Sequence, residues 1–199
     1  MIRILTLVVL VTCIVGCPTA RVSISPVQPI LATDTYVHAP SGFKFPVHFG
    51  KFRRVEINQF DTDGRNIGVG YNLEEADLQI ALTLYVKPAL RDQTGRTLSL
   101  AEMFELEKAE IARFHQGGRL SAAWTPPQTQ NREAAPGLAT AFQYSQVFAH
   151  RTQVVNSLLY LFEYEGWIVK YRITYPAEQE EKANLISQVF VSGFRWSDA

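Results

Sequence analysis

Asp61, Asp63 and Asn66 place three side-chain oxygens in the short run Asp61-Thr-Asp-Gly-Arg-Asn66, a density from which a loop could hold a hard cation. The spacing departs from a calcium loop in two places. Glycine stands fourth in the run instead of sixth, and Asn72 fills the twelfth place, where a bidentate glutamate is wanted. The Asp63-Gly64 pair suits a tight turn, so the run predicts a hairpin and no metal. Histidines could act as acid or base, but His38, His48, His115 and His150 stand singly in the sequence, with no Gly-x-Ser-x-Gly elbow, His-Glu-x-x-His helix or phosphate loop near any of them. His48 with Arg53 and Arg54 reads as a solvated polar face of a strand. Gly68-Val-Gly70 lacks the third glycine and the following helix of a nucleotide fingerprint, and marks close packing or a bulge. The residue types therefore nominate no catalytic group and no cofactor.

Cysteine chemistry is the remaining candidate, and it belongs to the N-terminus. Arg3 precedes the apolar run Ile4 to Val15, which ends at Gly16-Cys17-Pro18. About 12 apolar residues are too few for the roughly 20 that span a bilayer, but they fit the apolar segment of a secretory signal. The sequence Ile14-Val15-Gly16-Cys17 resembles the lipobox of bacterial lipoprotein precursors. That resemblance implies cleavage before Cys17, attachment of diacylglycerol to its sulfur and acylation of the new amino group. Residues 1–16 are then a removed signal peptide carrying Cys13 with them, and Cys17 is the single cysteine of the mature chain. Pro18 in place of an aspartate implies sorting to the outer membrane, with the domain facing the periplasm.

Two or three acyl chains hold a protein stably where one holds it marginally, so the expected membrane attachment asks nothing of the protein surface. Composition narrows the other partners. The chain of 199 residues has 19 basic and 19 acidic residues, and losing Arg3 with the signal leaves 18 against 19, a net charge of −1. A nucleic-acid partner needs a basic excess, so none is expected. With 47% hydrophobic and 12% aromatic residues there is material for one substantial core.

The elements that must position any site follow in order. Residues 17–35 carry Pro18, Pro26 and Pro29 without periodicity and predict a tether, or in their later half an irregular arm packed on the domain, leaving one globular domain over 36–199. Phe43, Phe45, Val47 and Phe49 alternate with polar residues and predict a strand, placed at an edge by Pro46. Residues 55–60 and 67–71 form the hairpin arms, and Leu78 to Val86 the next strand. Ser99 and Glu102 make a capping box opening a helix whose stripe is Leu100, Met103, Phe104, Ile111 and Phe114. A short strand from Leu120 to Trp124 leads into a polar loop over 126–137.

Strands then recur at Phe142 to Phe148, Val154 to Tyr164 and Trp167 to Tyr175. The second of these is apolar on both faces, whereas Lys170 and Arg172 read as an outward, solvated or partner-facing row of the third. A closing helix carries the stripe Ala183, Ile186, Val189 and Phe190 and ends near Gly193. Four strands, a helix, four strands and a helix do not alternate strictly enough for a parallel sheet. The order predicts an α+β domain, an antiparallel sheet of about six to eight strands sandwiched by two main helices.

Pro40-Ser-Gly-Phe43 at the start, Gly166-Trp-Ile-Val-Lys-Tyr-Arg-Ile-Thr-Tyr-Pro176 near the end, then a helix and Gly193-Phe-Arg-Trp196, resemble the PsbP and DcrB group of α/β/α sandwich domains. The resemblance implies a mostly non-catalytic extracytoplasmic module. The expected function is a membrane-anchored envelope lipoprotein that binds a protein partner or supports assembly. A small-ligand or lipid-binding module is the alternative, and a hydrolase-like enzyme the third reading.

Overall fold

The structure, a computed structural model, describes residues 27–75, 77–115, 119–120, 129, 131, 137–148 and 150–196. In chain order the first strands are β1 (Gln28–Pro29), β2 (Tyr36–Val37), β3 (Lys44–Phe45), β4 (His48–Phe49), β5 (Phe52–Gln59), β6 (Ile67–Glu75) and β7 (Leu78–Pro88). Helix α1 (Leu100–Phe114) follows, then β8 (Arg119–Leu120), β9 (Leu138–Phe148), β10 (Arg151–Tyr164), β11 (Trp167–Pro176) and helix α2 (Glu180–Gly193). Nine strands form one sheet in the order β1-β5-β6-β7-β11-β10-β9-β8, with β4 also on β5, and β2 pairs separately with β3. Every pairing is antiparallel. Cys17 and the proposed signal lie outside the described residues, as does most of the 126–137 loop.

The sheet exceeds the expected count because short pieces join it, and one of them corrects the sequence reading. The predicted strand over Phe43 to Phe49 is split: Lys44–Phe45 pairs with Tyr36–Val37, whereas His48–Phe49 turns through Gly50 onto β5. Pro46 lies between them, without the N–H a continuous ladder needs. The end of the 17–35 segment, open in the sequence between tether and packed arm, is engaged with the sheet. Gln28–Pro29 pairs with β5, and the buried Arg54 guanidinium donates to the carbonyls of Phe45, Ala32 (2.8 Å) and Asp34 (2.6 Å). Arg54, expected on a solvated face, instead staples that arm to the sheet, which satisfies a charge that burial would otherwise make costly.

The long central strands are apolar on both faces because two separate cores share them. Leu158, Tyr160 and Phe162 of β10 and Val169, Tyr171 and Ile173 of β11 join a cluster with Ala183, Phe190 and Val191 of α2. The intervening Val155, Leu159 and Leu161, with Ile168, join a second cluster with Met103, Phe104 and Ile111 of α1. Successive strand residues point to opposite faces. The second cluster is the smaller, because the α1 core ends at β11: beyond Ile168 that face of β11 carries Lys170, Arg172 and Thr174.

Each helix has a residue of its expected stripe that faces water instead of the core. α1 opens on the predicted capping box: Ser99 Oγ accepts from Glu102 N at 3.3 Å, and Glu102 Oε2 accepts from Ser99 N at 2.8 Å. Arg96 and these Ser99 bonds hold the Glu102 carboxyl at about 2. However, Phe114 is 68% exposed and Val189 62% exposed, so neither belongs to the core. In α2 the inward positions are Ala183, Ser187, Phe190 and Val191.

Candidate functional site

The residues first nominated by type serve the fold. Asp61 Oδ1 accepts from Arg65 N at 3.0 Å, and Phe60 N donates to Asn66 O at 2.8 Å, so the run is a closed hairpin turn with Gly64 at φ 67°. Among the described residues no group of three or more His, Cys, Asp or Glu is placed to share a metal ion. His48 is exposed and lies opposite Arg53, and His150 sits in the β9–β10 turn. His38 is fully buried. Its Nε2 donates to Gly64 O at 2.7 Å, which fixes the tautomer and leaves Nδ1, 2.6 Å from Ser41 Oγ, to accept.

His38 thus clamps the Pro40 turn to the Asp61–Asn66 turn, with Trp167 edge-on to its ring at 5.6 Å. Burial pushes its pKa below the ordinary value, against the raising effects of the Gly64 carbonyl and Asp61. A depressed pKa in the folded state means that stability is full above the unfolded value, about 6.5, and declines as pH falls below it. Urea midpoints between pH 7.5 and 5.5 are expected to fall more in the wild type than in His38→Gln. Equal slopes would remove His38 as an acid-sensitive clamp.

A different set of residues converges on one cleft. It has a volume of about 430 Å³ and lies between the C-terminal end of α1 and the sheet at β7 and β11. Its polar floor comes from one face of β11. Lys170 stands opposite Tyr85 in the ladder and Arg172 opposite Thr83. Gly68 lies beside Tyr85 in turn, and a Cβ there would meet the rings of Phe60 at 2.9 Å and Tyr85 at 3.0 Å. Glycine at this point lets both rings lie down on the sheet and form the apolar wall.

The charges are arranged unequally. Glu107, on the buried stripe of α1 between Met103 and Ile111, accepts from Lys87 Nζ at 2.5 Å and Lys170 Nζ at 2.7 Å. Lys170 Nζ also sits 4.2 Å from the Tyr85 ring centre. Burial raises the Glu107 carboxyl, but the two ammonium groups overcome it and hold it below its ordinary range. Each lysine has only a share of that one carboxylate, so for Lys170 burial wins and its pKa is pushed down despite Glu107. Arg172 Nη2 donates to Ser157 Oγ at 2.9 Å, while its Nε is buried without an acceptor. His115 closes the end of α1, its ring stacked on Tyr144 at 3.7 Å and 12°. Burial, with help from the Arg172 charge, lowers its pKa.

Lys170 and Arg172 are therefore not the solvated row the sequence suggested. The Lys170 side chain is 12% exposed, and both residues are floor. An acid at the centre of an apolar helical stripe was a signal available in the sequence, since a buried Glu107 requires buried cations. Which cations could answer it depends on sheet order: β11 lies beside β7 across some 80 intervening residues.

No known protein family matches the chain, and no curated protein matches it in sequence. Among solved structures it is similar to the solution structure of cyanobacterial PsbP (CyanoP) from Synechocystis sp. PCC 6803. The TM-score is 0.43 and the identity 11%, over 88% of this chain and 94% of that one.

Proposed function

We propose that this chain is a lipid-anchored, non-catalytic binding module of the bacterial envelope that takes a small anionic ligand in the cleft at the end of α1. The observation that carries the reading is the set of cations gathered at the cleft floor, where Lys87 and the buried Lys170 share one carboxylate. Lys87, Lys170 and Arg172 face it or its floor, Glu107 and Glu110 oppose them, and Glu56 lies over Gly70 on the same sheet face. Clefts of roughly 300–1,000 Å³ with a few convergent polar groups on apolar walls are the usual form of small-ligand sites. The cleft shifts the preference from the partner-binding reading to the ligand-binding one. A catalytic reading gains no support, because the cleft sets no nucleophile beside a base: Lys170 is held by Glu107, and His115 is stacked.

The architecture is proposed as an α/β/α sandwich of the PsbP and DcrB type. Support comes from the alternation along β10, where even residues meet the α2 core and odd residues the α1 core. Anchoring rests on the lipobox at Ile14-Val15-Gly16-Cys17. Cys17→Ser is expected to move the protein from the membrane to the soluble fraction with its fold intact, and retention after carbonate washing would end the anchor claim.

For the ligand, a panel of small anions is expected to raise the denaturation midpoint of the wild type and leave Arg172→Gln unmoved. A ligand at a hundred times its Kd adds about 2.7 kcal/mol. Absence of any anion-dependent shift would remove the reading. The partner-binding alternative has its own observation, the exposed Leu185 (66%) and Val189 (62%) one turn apart on α2. Crosslinking in intact cells tests it: a protein captured through α2 supports a partner module.

A further inference from the structure

We infer that the sheet edge carrying β1 rests on the bilayer, with Val27, Pro29 and Leu31 in the lipid interface and the opposite edge, at β9, turned away from it. The inference rests on the lipid-anchor reading above and adds an orientation to it.

Exposure on this arm is built in. Gln28–Pro29 pairs with β5 and Ile30 N donates to Ile57 O at 2.9 Å, while Arg54 Nη2 donates to Ala32 O at 2.8 Å and to Asp34 O at 2.6 Å. The backbone is therefore held on both sides of Leu31. Ile30 packs on the α2 core, and since neighbouring residues of an extended chain point to opposite sides, Pro29 and Leu31 point away from it. Leu31 is 96% exposed and Val27 55% exposed. A leucine on a loose arm would fold back onto apolar surface, whereas these hydrogen bonds keep this one in water. Val55 of β5, the strand beside the arm, is 50% exposed as well.

Position selects lipid as the occupant. Val27 lies ten residues after Cys17, so at a full extension of about 3.5 Å per residue it stays within about 35 Å of the acyl chains. Six strand spacings of about 4.8 Å, from β1 through β5, β6, β7, β11 and β10 to β9, put the other edge roughly 29 Å farther across the sheet. From Cys17 to Thr33 the chain carries Arg21 and no acidic residue, which suits an anionic lipid surface. Glu56, which the register sets opposite Leu31, has its side chain folded over Gly70 and its carboxylate bonded by Asn58 at 3.1 Å, on the sheet face and away from the edge.

Little apolar area is needed. The acyl chains already bring the domain to the surface, so the strip acts at the high effective concentration of an intramolecular contact and has only to bias orientation. Edge-on seating leaves Leu185 and Val189 of α2, and the cleft at the end of α1, in the aqueous phase.

The test uses the full lipidated chain in phospholipid vesicles, where an introduced cysteine is the one free thiol because the Cys17 sulfur is acylated. An environment-sensitive fluorophore is placed in turn at Leu31→Cys, Val27→Cys, Val147→Cys and Leu185→Cys, all exposed positions, and its quenching by nitroxide-labelled lipid is measured. Expected at 31 and 27 are a blue-shifted emission and about threefold more quenching than at 147 or 185, since apolar side chains at an interface sit about 5–10 Å into the headgroup boundary. Leu31→Asp should return the label at 27 to the values seen at 147, at an unchanged denaturation midpoint. A label at 27 that Leu31→Asp does not move, equal quenching at all four positions, or strongest quenching at 147 or 185 would overturn the inference while leaving the anchor in place. Wild-type protein that fails to float with the vesicles removes the anchor reading and the inference together.

Discussion

Phe190→Ala is expected to be the most damaging single truncation in the domain. Its ring is 1% exposed and lies against five others: Phe52 at 4.8 Å, Phe49 and Phe194 at 5.1 Å, Tyr71 at 5.3 Å and Tyr171 at 6.4 Å. These neighbours come from β4, β5, β6, β11 and the segment after α2, so this one residue ties the closing helix to both halves of the sheet. A buried Phe-to-Ala change costs about 3–5 kcal/mol from lost transfer energy and the cavity left behind. With a urea slope of about 1–3 kcal/mol per molar, the midpoint falls by about 2 M. A shift under about 0.5 M would mean that the ring cluster can collapse around the gap and that α2 is held mainly elsewhere. Val189→Ala is the internal comparison, since the neighbouring side chain is exposed and should move the midpoint little.

Phe190 also marks the boundary of what the sequence could tell. Period-2 alternation located β7 and β11, and the Ser99–Glu102 box located the start of α1, because those signals are local. The antiparallel α+β class followed from element order. Phe114 and Val189 satisfy the helical period and still face water: periodicity gives the direction of a face, not what covers it. Splitting of the Phe43–Phe49 strand depended on where β5 and β2 wait to pair with its two halves, which no local pattern encodes.

The site was less legible than the fold for the same reason. Its members sit in the β5–β6 turn, on β6, β7 and β11 and at the end of α1, and meet only because β11 inserts between β7 and β10. Lys170 and Arg172 were visible as an alternating polar row, and on an outer strand such a row would be solvated. On the central strand it becomes floor. The histidines were visible too, but His38 turned out to bind two turns together, and His115 to close a helix against Tyr144. Residue type alone ranked these groups in the wrong order; burial and shared partners reverse it.

Glu107→Gln should expose the conflict between stability and binding in that floor. The carboxylate is 5% exposed and is paired with side chains that are 12% and 18% exposed, so its charge is what keeps two ammonium groups below the surface. Breaking a buried pair by removing one partner costs about 3–5 kcal/mol, because the charge left behind has no compensation. Restoration is the sharper test. Adding Lys170→Met removes the more buried of the two stranded charges and should recover most of the loss, giving a coupling of about 0.5–3 kcal/mol. Strictly additive losses would mean that Lys170 already finds water in the cleft.

Acid tests the same group without mutation. The Glu107 pKa is depressed in the folded state, so its contribution is complete above the unfolded value of about 4.3 and disappears as pH falls through the folded one. That component of acid sensitivity should be missing from Glu107→Gln. The variant's cleft carries one more uncompensated positive charge than the wild type, so anions should bind it more tightly even as the domain becomes easier to unfold. Loss of both stability and anion affinity in the same variant would instead make Glu107 the group that orients Lys170 toward its ligand.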